Sequence, residues 1–340
     1  MPAHAFLPPA QVYGPAALHR ALRRAARGHR DCPDVARWLL EAGPRLCALS
    51  AALLGEQWRP GPLRRFEIRE PKPRVVVEAA FEDRVVHHAL VGELERVLDP
   101  TLDPQSYACR RGQGLHRCVL QAQRCARAHP YVLGLDIQGY FAQLGHDFLL
   151  SLLAARAVPE VSLRLVARIL AAGAPVSAVG EARGVPIGLL TSQFLGNLAL
   201  DPLERHLRRE LPHLDHVRYM DDILLFGPSK PLLWRAHAWC RELLATWDLR
   251  LKERATRLRP CAEGIDFLGL RVFPELIRPD RAARQRFVQR VRHLAGRRCS
   301  TDAAEAARQA GLETLFAHMS FGETIGLRRS LVLDLWPSGG

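Results

Sequence analysis

The alternation of apolar and polar positions predicts helices at both ends of the chain. Residues 16 to 27 repeat apolar side chains every three or four positions with arginines between them, the pattern of a basic amphipathic helix. Residues 280 to 298 show the same pattern. A helical segment over about 34 to 54 is expected to break at Gly43-Pro44. Further helices are predicted at about 81 to 98, 146 to 157, from 201 onward and 231 to 247.

Shorter apolar runs predict strands in the middle of the chain. Residues 131 to 136, YVLGLD, form an apolar strand that closes with Asp136. Between two β-rich runs stand Asp221 and Asp222, which predicts a hairpin with an acidic tip. Two other β-rich segments are 58 to 77, with a basic loop at 69 to 74, and 264 to 274. This order of elements predicts an α+β fold with helical ends around a central strand-containing region.

Charge changes this picture from a generic globular chain to a candidate nucleic-acid binder. The 340 residues carry a formal net charge of +13, and the only lysines are Lys72, Lys230 and Lys252, so arginine supplies most of it. Guanidinium groups suit bidentate contacts with phosphate. Biased nucleotide composition is an alternative explanation for arginine over lysine, but it does not explain the excess of bases over acids.

Cysteine usage and hydropathy bear on the cellular compartment. The eight cysteines show no C-x-x-C pair and no Cys/His pair at zinc spacing, so free thiols in a reducing environment are expected. The first residues lack the pattern of a signal peptide, and no apolar stretch approaches the length that spans a membrane. We therefore expect a soluble, cytoplasmic protein without a membrane partner.

Asp136, Asp221 and Asp222 are the residues with the clearest chemistry. If their strands are neighbours in one antiparallel sheet, the three carboxylates meet at one edge, where like charges require a cation. Hard oxygen ligands favour Mg²⁺, with Mn²⁺ as a substitute. Two such ions would activate a 3′-hydroxyl and stabilise a departing pyrophosphate. A lone aspartate would be an ordinary turn residue, but turns prefer Gly or Asn beside Asp.

Three segments resemble the palm motifs of reverse transcriptases in order and spacing: LDIQGYF (135 to 141), GVPIGLLTSQFLGNLAL (184 to 200) and YMDD (219 to 222). Three more resemble the bacterial branch of that family: residues 70 to 90, SYACRRGQGLHRCV (106 to 119) and DFLGLRVFP (266 to 274). The branch most similar is that of diversity-generating retroelements, and the resemblance covers roughly residues 18 to 330.

The resemblance implies a right-hand polymerase with fingers, a palm with an antiparallel sheet, and a helical thumb. The expected divisions are 1–130 for the N-terminal helices and fingers, 131–275 for the palm, with finger and palm helices inserted at 150–183, and 276–340 for the thumb. Its partners would be an RNA template, a DNA or RNA primer, and deoxynucleoside triphosphates (dNTPs). A small basic accessory protein that helps to present the template is also implied.

The resemblance also assigns roles at the catalytic centre. Asp136 and Asp221 would be the principal metal ligands, with Asp222 in a supporting role. Phe141, five residues after Asp136, would be an aromatic steric gate that crowds a ribose 2′-hydroxyl. Without the motif, Phe141 would be interpreted as an ordinary core residue.

Other residues would contact the nucleotide or the nucleic acid. Lys72 and Arg74 fall where the family places cations on the incoming triphosphate, although a solvated basic turn is an alternative for Lys72. Template or primer contacts are implied for Arg110, Arg111, Tyr219, Arg284 and Arg290. For the first two of these, a basic turn before a helix near residue 116 is the alternative.

The glycine-rich segment bears on copying fidelity. Gly188 permits a close backbone approach to a nucleotide or template base, and Gln193 lies in the start of the following helix. Many reverse transcriptases carry Gln immediately before the second glycine, where this chain has Ile187. Because Ile cannot make that polar contact with a nucleotide, the resemblance implies error-prone copying.

Some positions depart from the family pattern. After Phe141 the chain reads AQLGHDF rather than a small or polar run, and Ala255 stands where a lysine is common. Lys252 or Arg254 are the residues that could donate a proton to pyrophosphate instead.

Two alternatives remain open at this stage, and a third, the group II intron enzyme, is disfavoured. A group II intron enzyme would need a larger maturase region and a DNA-binding or endonuclease domain, neither of which we expect after about residue 330. A retron-type or phage-defence reverse transcriptase fits a chain of this size. A catalytically silent nucleic-acid-binding scaffold on a polymerase fold would use the basic helices equally well.

Overall fold

The computed structural model describes residues 5–68, 73–173 and 182–335. The helices are, in chain order, α1 (Pro9–Tyr13), α2 (Pro15–Ala25), α3 (Pro33–Leu40), α4 (Ala42–Leu54), α5 (Phe81–Leu98), α6 (Leu115–Ala128), α7 (Tyr140–Gln143), α8 (His146–Ala154), α9 (Glu160–Gly173), α10 (Leu190–Ala199), α11 (Asp201–Glu210), α12 (Lys230–Ala245), α13 (Arg281–Ala295), α14 (Asp302–Met319) and α15 (Ile325–Leu335). The strands are β1 (Arg64–Ile68), β2 (Arg74–Glu78), β3 (Tyr131–Leu135), β4 (Asp215–Tyr219), β5 (Asp222–Gly227), β6 (Arg257–Pro260), β7 (Ile265–Phe267), β8 (Leu270–Val272) and β9 (Ile277–Pro279).

An antiparallel sheet of order β4-β5-β3-β6 occupies the middle of the chain. Strand β5 is apolar at nearly every position because both of its faces are covered. Ile223 and Leu225 face the main hydrophobic core, whereas Leu224 and Phe226 face a second core. Alternation of side chains across the strand therefore serves two cores at once. This burial on both faces fixes the register in which β5 pairs with β3.

The N-terminal helices pack around the long helix α5. Helix α2 buries Leu18 and Leu22 and packs against α5 and α4. Strands β1 and β2 pair with each other to form a hairpin. The predicted boundaries of α5 are confirmed at both ends. The expected break at Gly43-Pro44 is wrong, because the chain breaks at Glu41 and α4 continues through both residues. Proline is tolerated there since it lies in the first turn of α4, where its missing N–H would have no helical partner.

The C-terminal part begins with a small antiparallel sheet of order β7-β8-β9, and helices follow it. The helices α13, α14 and α15 share a separate core around Phe287, Val291, Met319 and Leu331. Helix α13 starts with a capping bond in which the Asp280 carboxylate accepts from the Ala283 backbone N–H at 2.6 Å. Within the described residues, no helix is both long and apolar enough to cross a membrane.

Candidate active site

The three aspartates lie at one end of the central sheet. Leu135 pairs with Ile223 in the β3–β5 register. Asp136 directly follows Leu135 in the sequence, and Asp222 directly precedes Ile223. Both aspartates therefore lie at the same end of the sheet. The two aspartates also line a single cleft. The predicted convergence of strands is therefore present.

Burial and charge act together on Asp221. Burial raises the pKa of this carboxyl above its ordinary value, and the carboxylate of Asp136 raises it further. Its own backbone N–H, Arg74 and Lys252 act in the opposite direction. The effects of Asp136, Arg74 and Lys252 act through space, so Asp221 shares one site with Asp136 and lies within electrostatic range of two cations. The site carries negative charge that a bound cation would stabilise.

Lys252 contacts the first aspartate directly. Its Nζ lies 3.2 Å from Asp136 Oδ2, and its backbone N–H donates to the Asp136 carbonyl at 2.8 Å. An antiparallel bridge between Ile137 and Leu251 brings the two segments together. Of the two alternative proton donors named by the sequence, Lys252 thus reaches the acidic edge.

The hairpin tip holds a strained residue. Tyr219 pairs with Asp222, so Met220 and Asp221 form the two-residue connection. Met220 has φ 56°, a left-handed conformation that L side chains other than Asn and Asp seldom adopt. Such conformations persist only where surrounding contacts enforce them, and they concentrate at functional sites.

One such contact comes from Arg218, which is not among the site residues that the sequence predicts. Its side chain is 0% exposed and leads the fully buried side chains by volume among the described residues. Arg218 Nη1 donates to the Met220 carbonyl at 3.2 Å, and Nη2 donates to Glu204 Oε2 at 2.6 Å. The chain contains many arginines, and nothing in the local sequence distinguishes this buried one from those that are exposed.

A second group of metal-ligating side chains lies behind the hairpin. Ligand atoms of Asp103, Glu204 and His216, all buried, fall within 4.8 Å of one another. Asp103 accepts from Arg208, and Glu204 accepts from Arg218. Two guanidinium groups therefore already balance the two carboxylates. A divalent cation would add uncompensated positive charge, so this cluster is a poor metal site compared with the acidic edge.

Phe141 lies on the short helix α7, five residues after Asp136 in the sequence. Its ring packs on Gly196 of α10, where an added Cβ would meet Phe141 Cε1 at 2.9 Å. Tyr140 lies beside it with ring centroids 5.3 Å apart, and its hydroxyl donates to the Gly196 carbonyl. The glycine thus allows close packing of the aromatic pair, which fixes where the partly exposed Phe141 ring stands.

The glycine-rich segment packs on the β1–β2 hairpin. The Ile187 carbonyl accepts from the Val77 N–H at 2.8 Å, and Gly188 has φ 118°. A Cβ at Gly188 would meet the Val77 carbonyl oxygen at 2.2 Å. In the structure, this close approach of the Gly188 backbone is made to strand β2. The approach to a nucleotide or template base stays a prediction. Gln193, which is exposed, lines a cavity together with Gly188.

The predicted phosphate and template contacts differ in their surroundings. Arg74 is exposed at the start of β2, in electrostatic range of Asp221, whereas Lys72 lies outside the described residues. The Arg110 guanidinium donates to Asp99 Oδ1 at 2.7 Å and to the carbonyls of three loop residues, Asp99, Asp103 and Ser106. These bonds hold the loop together, so Arg110 has the contacts of a structural residue. Arg111 is exposed.

The remaining predicted contacts are distributed over the hairpin and α13. Tyr219 is partly buried and packs against the second core. Arg284 and Arg290 are exposed on α13. The structure thus brings Asp136, Asp221 and Asp222 together at one end of the central sheet.

An antiparallel sheet with carboxylates at one edge, preceded by a hairpin and followed by a helical segment, defines the right-hand polymerase class. A family model for reverse transcriptase (RNA-dependent DNA polymerase) matches residues 69–272, which is more than half of the chain. The chain belongs to the reverse transcriptase family. A search of the curated proteins finds no match.

The chain is similar in structure to solved telomerases. The apo telomerase of Candida tropicalis matches with a TM-score of 0.50 and 11% identity, over 82% of this chain and 62% of that chain. The telomerase of Candida albicans, in complex with a TWJ fragment of telomeric RNA, matches with a TM-score of 0.47 and 11% identity, over 83% and 60%. The chain therefore spans about three fifths of the length of these structures.

Proposed function

We propose that the protein copies an RNA template into complementary DNA. The observation that carries this proposal is the meeting of Asp136 with the Asp221–Asp222 pair at one edge of the central sheet. The expected partners are the RNA template, a DNA or RNA primer, and dNTPs. The division into fingers (1–130), palm (131–275) and thumb (276–340) belongs to the same proposal.

The three carboxylates fit two Mg²⁺ ions. They offer only hard oxygen ligands, and the raised pKa of Asp221 marks negative charge that lacks full compensation. When bound, such ions supply activation of the primer hydroxyl and stabilisation of the leaving pyrophosphate. Asp136 and Asp221 would hold them, with Asp222 in support. Mn²⁺ would substitute.

The chain's own residues would position the nucleotide. Arg74, exposed and in electrostatic range of Asp221, would clamp the triphosphate, with Lys72 beside it in sequence. The Phe141 ring would occlude a 2′-hydroxyl. Lys252 stands where it can pass a proton to the departing pyrophosphate, because its ammonium lies beside Asp136.

Nucleic-acid contacts would follow the exposed arginines. Arg111 and Tyr219 would contact template or primer, and Arg284 and Arg290 on α13 would grip the duplex backbone. Such phosphate contacts release counterions, so affinity should fall steeply between 50 mM and 200 mM salt. An affinity that stays flat over this range would contradict the assignment. Arg110 is proposed to order the loop that contains Asp103 and Ser106, rather than to bind the template itself.

The finer assignment is to the diversity-generating retroelement branch. Ile187 in place of a polar residue, with Gln193 and Gly188 lining one cavity, supports error-prone copying. In that setting a small basic accessory protein would help to present the template, in the cytoplasm. A retron-type or phage-defence role is the alternative. Sequencing of the products of Ile187→Gln and of the wild type tests the fidelity assignment, and equal error rates would contradict it.

Primer extension on an RNA template tests the activity itself. Wild-type protein with Mg²⁺ should incorporate dNTPs, and Asp221→Asn should reduce incorporation to background. Incorporation that persists in the variant would refute the metal assignment. Tight RNA binding without incorporation by the wild type would instead favour a silent scaffold.

A further inference from the structure

Arg218 is a charged side chain buried directly behind the acidic turn. It stands three residues before Asp221 in the sequence and is 0% exposed. Burial of a guanidinium costs desolvation free energy unless a counter-charge and hydrogen bonds compensate it. An apolar residue of similar size would avoid this cost, so we expect the arginine to supply contacts that an apolar residue cannot make.

The guanidinium of Arg218 joins three parts of the molecule. It donates to Ser106 Oγ at 2.7 Å in the loop before α6. It donates to Asn197 Oδ1 at 3.3 Å and to the Asn197 carbonyl at 3.1 Å on α10. It donates to Glu204 Oε2 at 2.6 Å on α11. The backbone of Arg218 adds a bridge to Ser106, so the strand is fixed to the same loop.

One further bond reaches the catalytic turn. Arg218 Nη1 donates to the Met220 carbonyl at 3.2 Å. This carbonyl and the Asp221 N–H belong to one planar peptide group, so fixing the oxygen fixes the plane from which the Asp221 side chain starts. Met220 is also the strained residue, with φ 56°. The bond therefore holds the conformation that the turn would otherwise tend to leave.

Glu204 is the fixed counter-charge of this arrangement. It is 0% exposed on α11. Burial raises the pKa of its carboxyl, and the ion pair with Arg218 opposes that effect. Its second oxygen, Oε1, has no hydrogen-bond partner. The hydrogen bond of this carboxylate therefore goes to Arg218 through Oε2, which orients the guanidinium, while Oε1 lies 4.0 Å from His216 Nε2.

We propose that Arg218, oriented by Glu204, is a positioning residue that sets the Asp221 carboxylate against Asp136 for metal binding. The inference rests on the proposed function, because the metal serves the polymerase reaction. In this proposal Arg218 does not contact the substrate and acts only through the position of Asp221. Its consequence is that metal affinity and turnover depend on a pair that neither metal nor nucleotide touches.

The test separates positioning from folding by comparing variants. Replacing only one partner would leave an unpaired buried charge, whereas the double variant Arg218→Met with Glu204→Leu replaces the pair with apolar side chains that can keep or raise stability. Arg218→Lys keeps the positive charge but loses the planar fork. Arg156→Met is the control, because Arg156 pairs with the buried Asp201 at 2.6 Å on the same helix as Glu204.

Three quantities are measured on each variant: the melting temperature, Mn²⁺ affinity by electron paramagnetic resonance, and kcat and KM for one dNTP. The double variant should melt near the wild type, yet lose about ten- to a hundredfold in Mn²⁺ affinity and in kcat, with an unchanged KM. Arg218→Lys should show a smaller loss of the same kind. Arg156→Met should lower only the melting temperature.

A folded double variant with wild-type Mn²⁺ affinity and kcat would overturn the proposal. If that variant does not fold, unchanged Mn²⁺ affinity in folded Arg218→Lys would overturn it equally. Wild-type protein that binds Mn²⁺ through Asp221 but incorporates no nucleotide would refute the proposed function. In that case the Mn²⁺ affinities of the variants would still decide the role of Arg218.

Discussion

The ammonium of Lys252 lies 3.2 Å from Asp136 Oδ2, and the two segments are joined by a backbone hydrogen bond beside this pair. The lysine side chain is 49% exposed, so the ion pair contributes under about 1 kcal/mol to stability. Its value to the protein is therefore its place beside the acidic edge rather than its contribution to folding.

Lys252→Ala should lower kcat about 100-fold with little change in melting temperature, because a proton donor to the leaving group is lost. Lys252→Arg keeps the charge but cannot release a proton, so it should not restore kcat. Lys230→Ala is the matched control, since Lys230 lies over the Tyr131 ring at the opposite end of β3. Single-nucleotide incorporation measures all three, and full activity in Lys252→Ala would exclude the role.

Asp221 should set the acid limit of the reaction. Its pKa is raised, chiefly by burial, so this carboxyl takes up a proton at a higher pH than an ordinary aspartate. The metal requires the deprotonated form, so activity should fall as pH decreases through the raised pKa. A higher Mg²⁺ concentration competes with the proton and should shift this decrease in activity to lower pH. A decrease whose position does not depend on Mg²⁺ concentration would indicate that another group titrates.

Phe141→Val should admit ribonucleotides. The ring is held against Gly196. If it crowds a ribose 2′-hydroxyl, as proposed, its loss leaves space for that group. The ratio of ribonucleotide to deoxynucleotide kcat/KM is expected to rise about 10- to 100-fold. Phe148→Val removes a comparable ring that stacks on Trp247 instead, and it should leave the ratio unchanged. An unchanged ratio in Phe141→Val would contradict the steric-gate role and would indicate that Phe141 is an ordinary packing residue.

Gly188→Ala should destabilise the protein more than Gly112→Ala. Both glycines have positive φ, 118° and 70°. An added Cβ at Gly188 would meet the Val77 carbonyl at 2.2 Å, whereas nothing lies within 4 Å at Gly112. We expect a loss of about 3 kcal/mol or more for the first and about 1 kcal/mol for the second. Chemical unfolding measures both, and equal losses would contradict the packing of this loop on β2.

The sequence predicts elements where one physical signal dominates. The boundaries of α5 follow from a long helical segment, and the acidic hairpin follows from two β-rich runs around Asp221 and Asp222. The break near Gly43 was misplaced because proline in the first turn of a helix resembles proline between two helices. Local sequence cannot separate these cases, since the difference lies in where the preceding helix stops.

The parts of the site that depend on tertiary contacts were not predictable in this way. Arg218 occupies a strand position in a chain with many arginines, and its burial depends on Glu204, Ser106 and Asn197 from three other segments. Arg110 was expected at the template, but its bonds run to its own loop. Which arginines face solvent and which hold the fold is decided by partners distant in sequence.

Locating Mn²⁺ by anomalous diffraction, in crystals with primer–template and an incoming nucleotide, tests the central claim most directly. Manganese should lie about 2.1 Å from carboxylate oxygens of both Asp136 and Asp221. Manganese found only at Asp103, Glu204 and His216, or bound by neither cluster, would contradict the account.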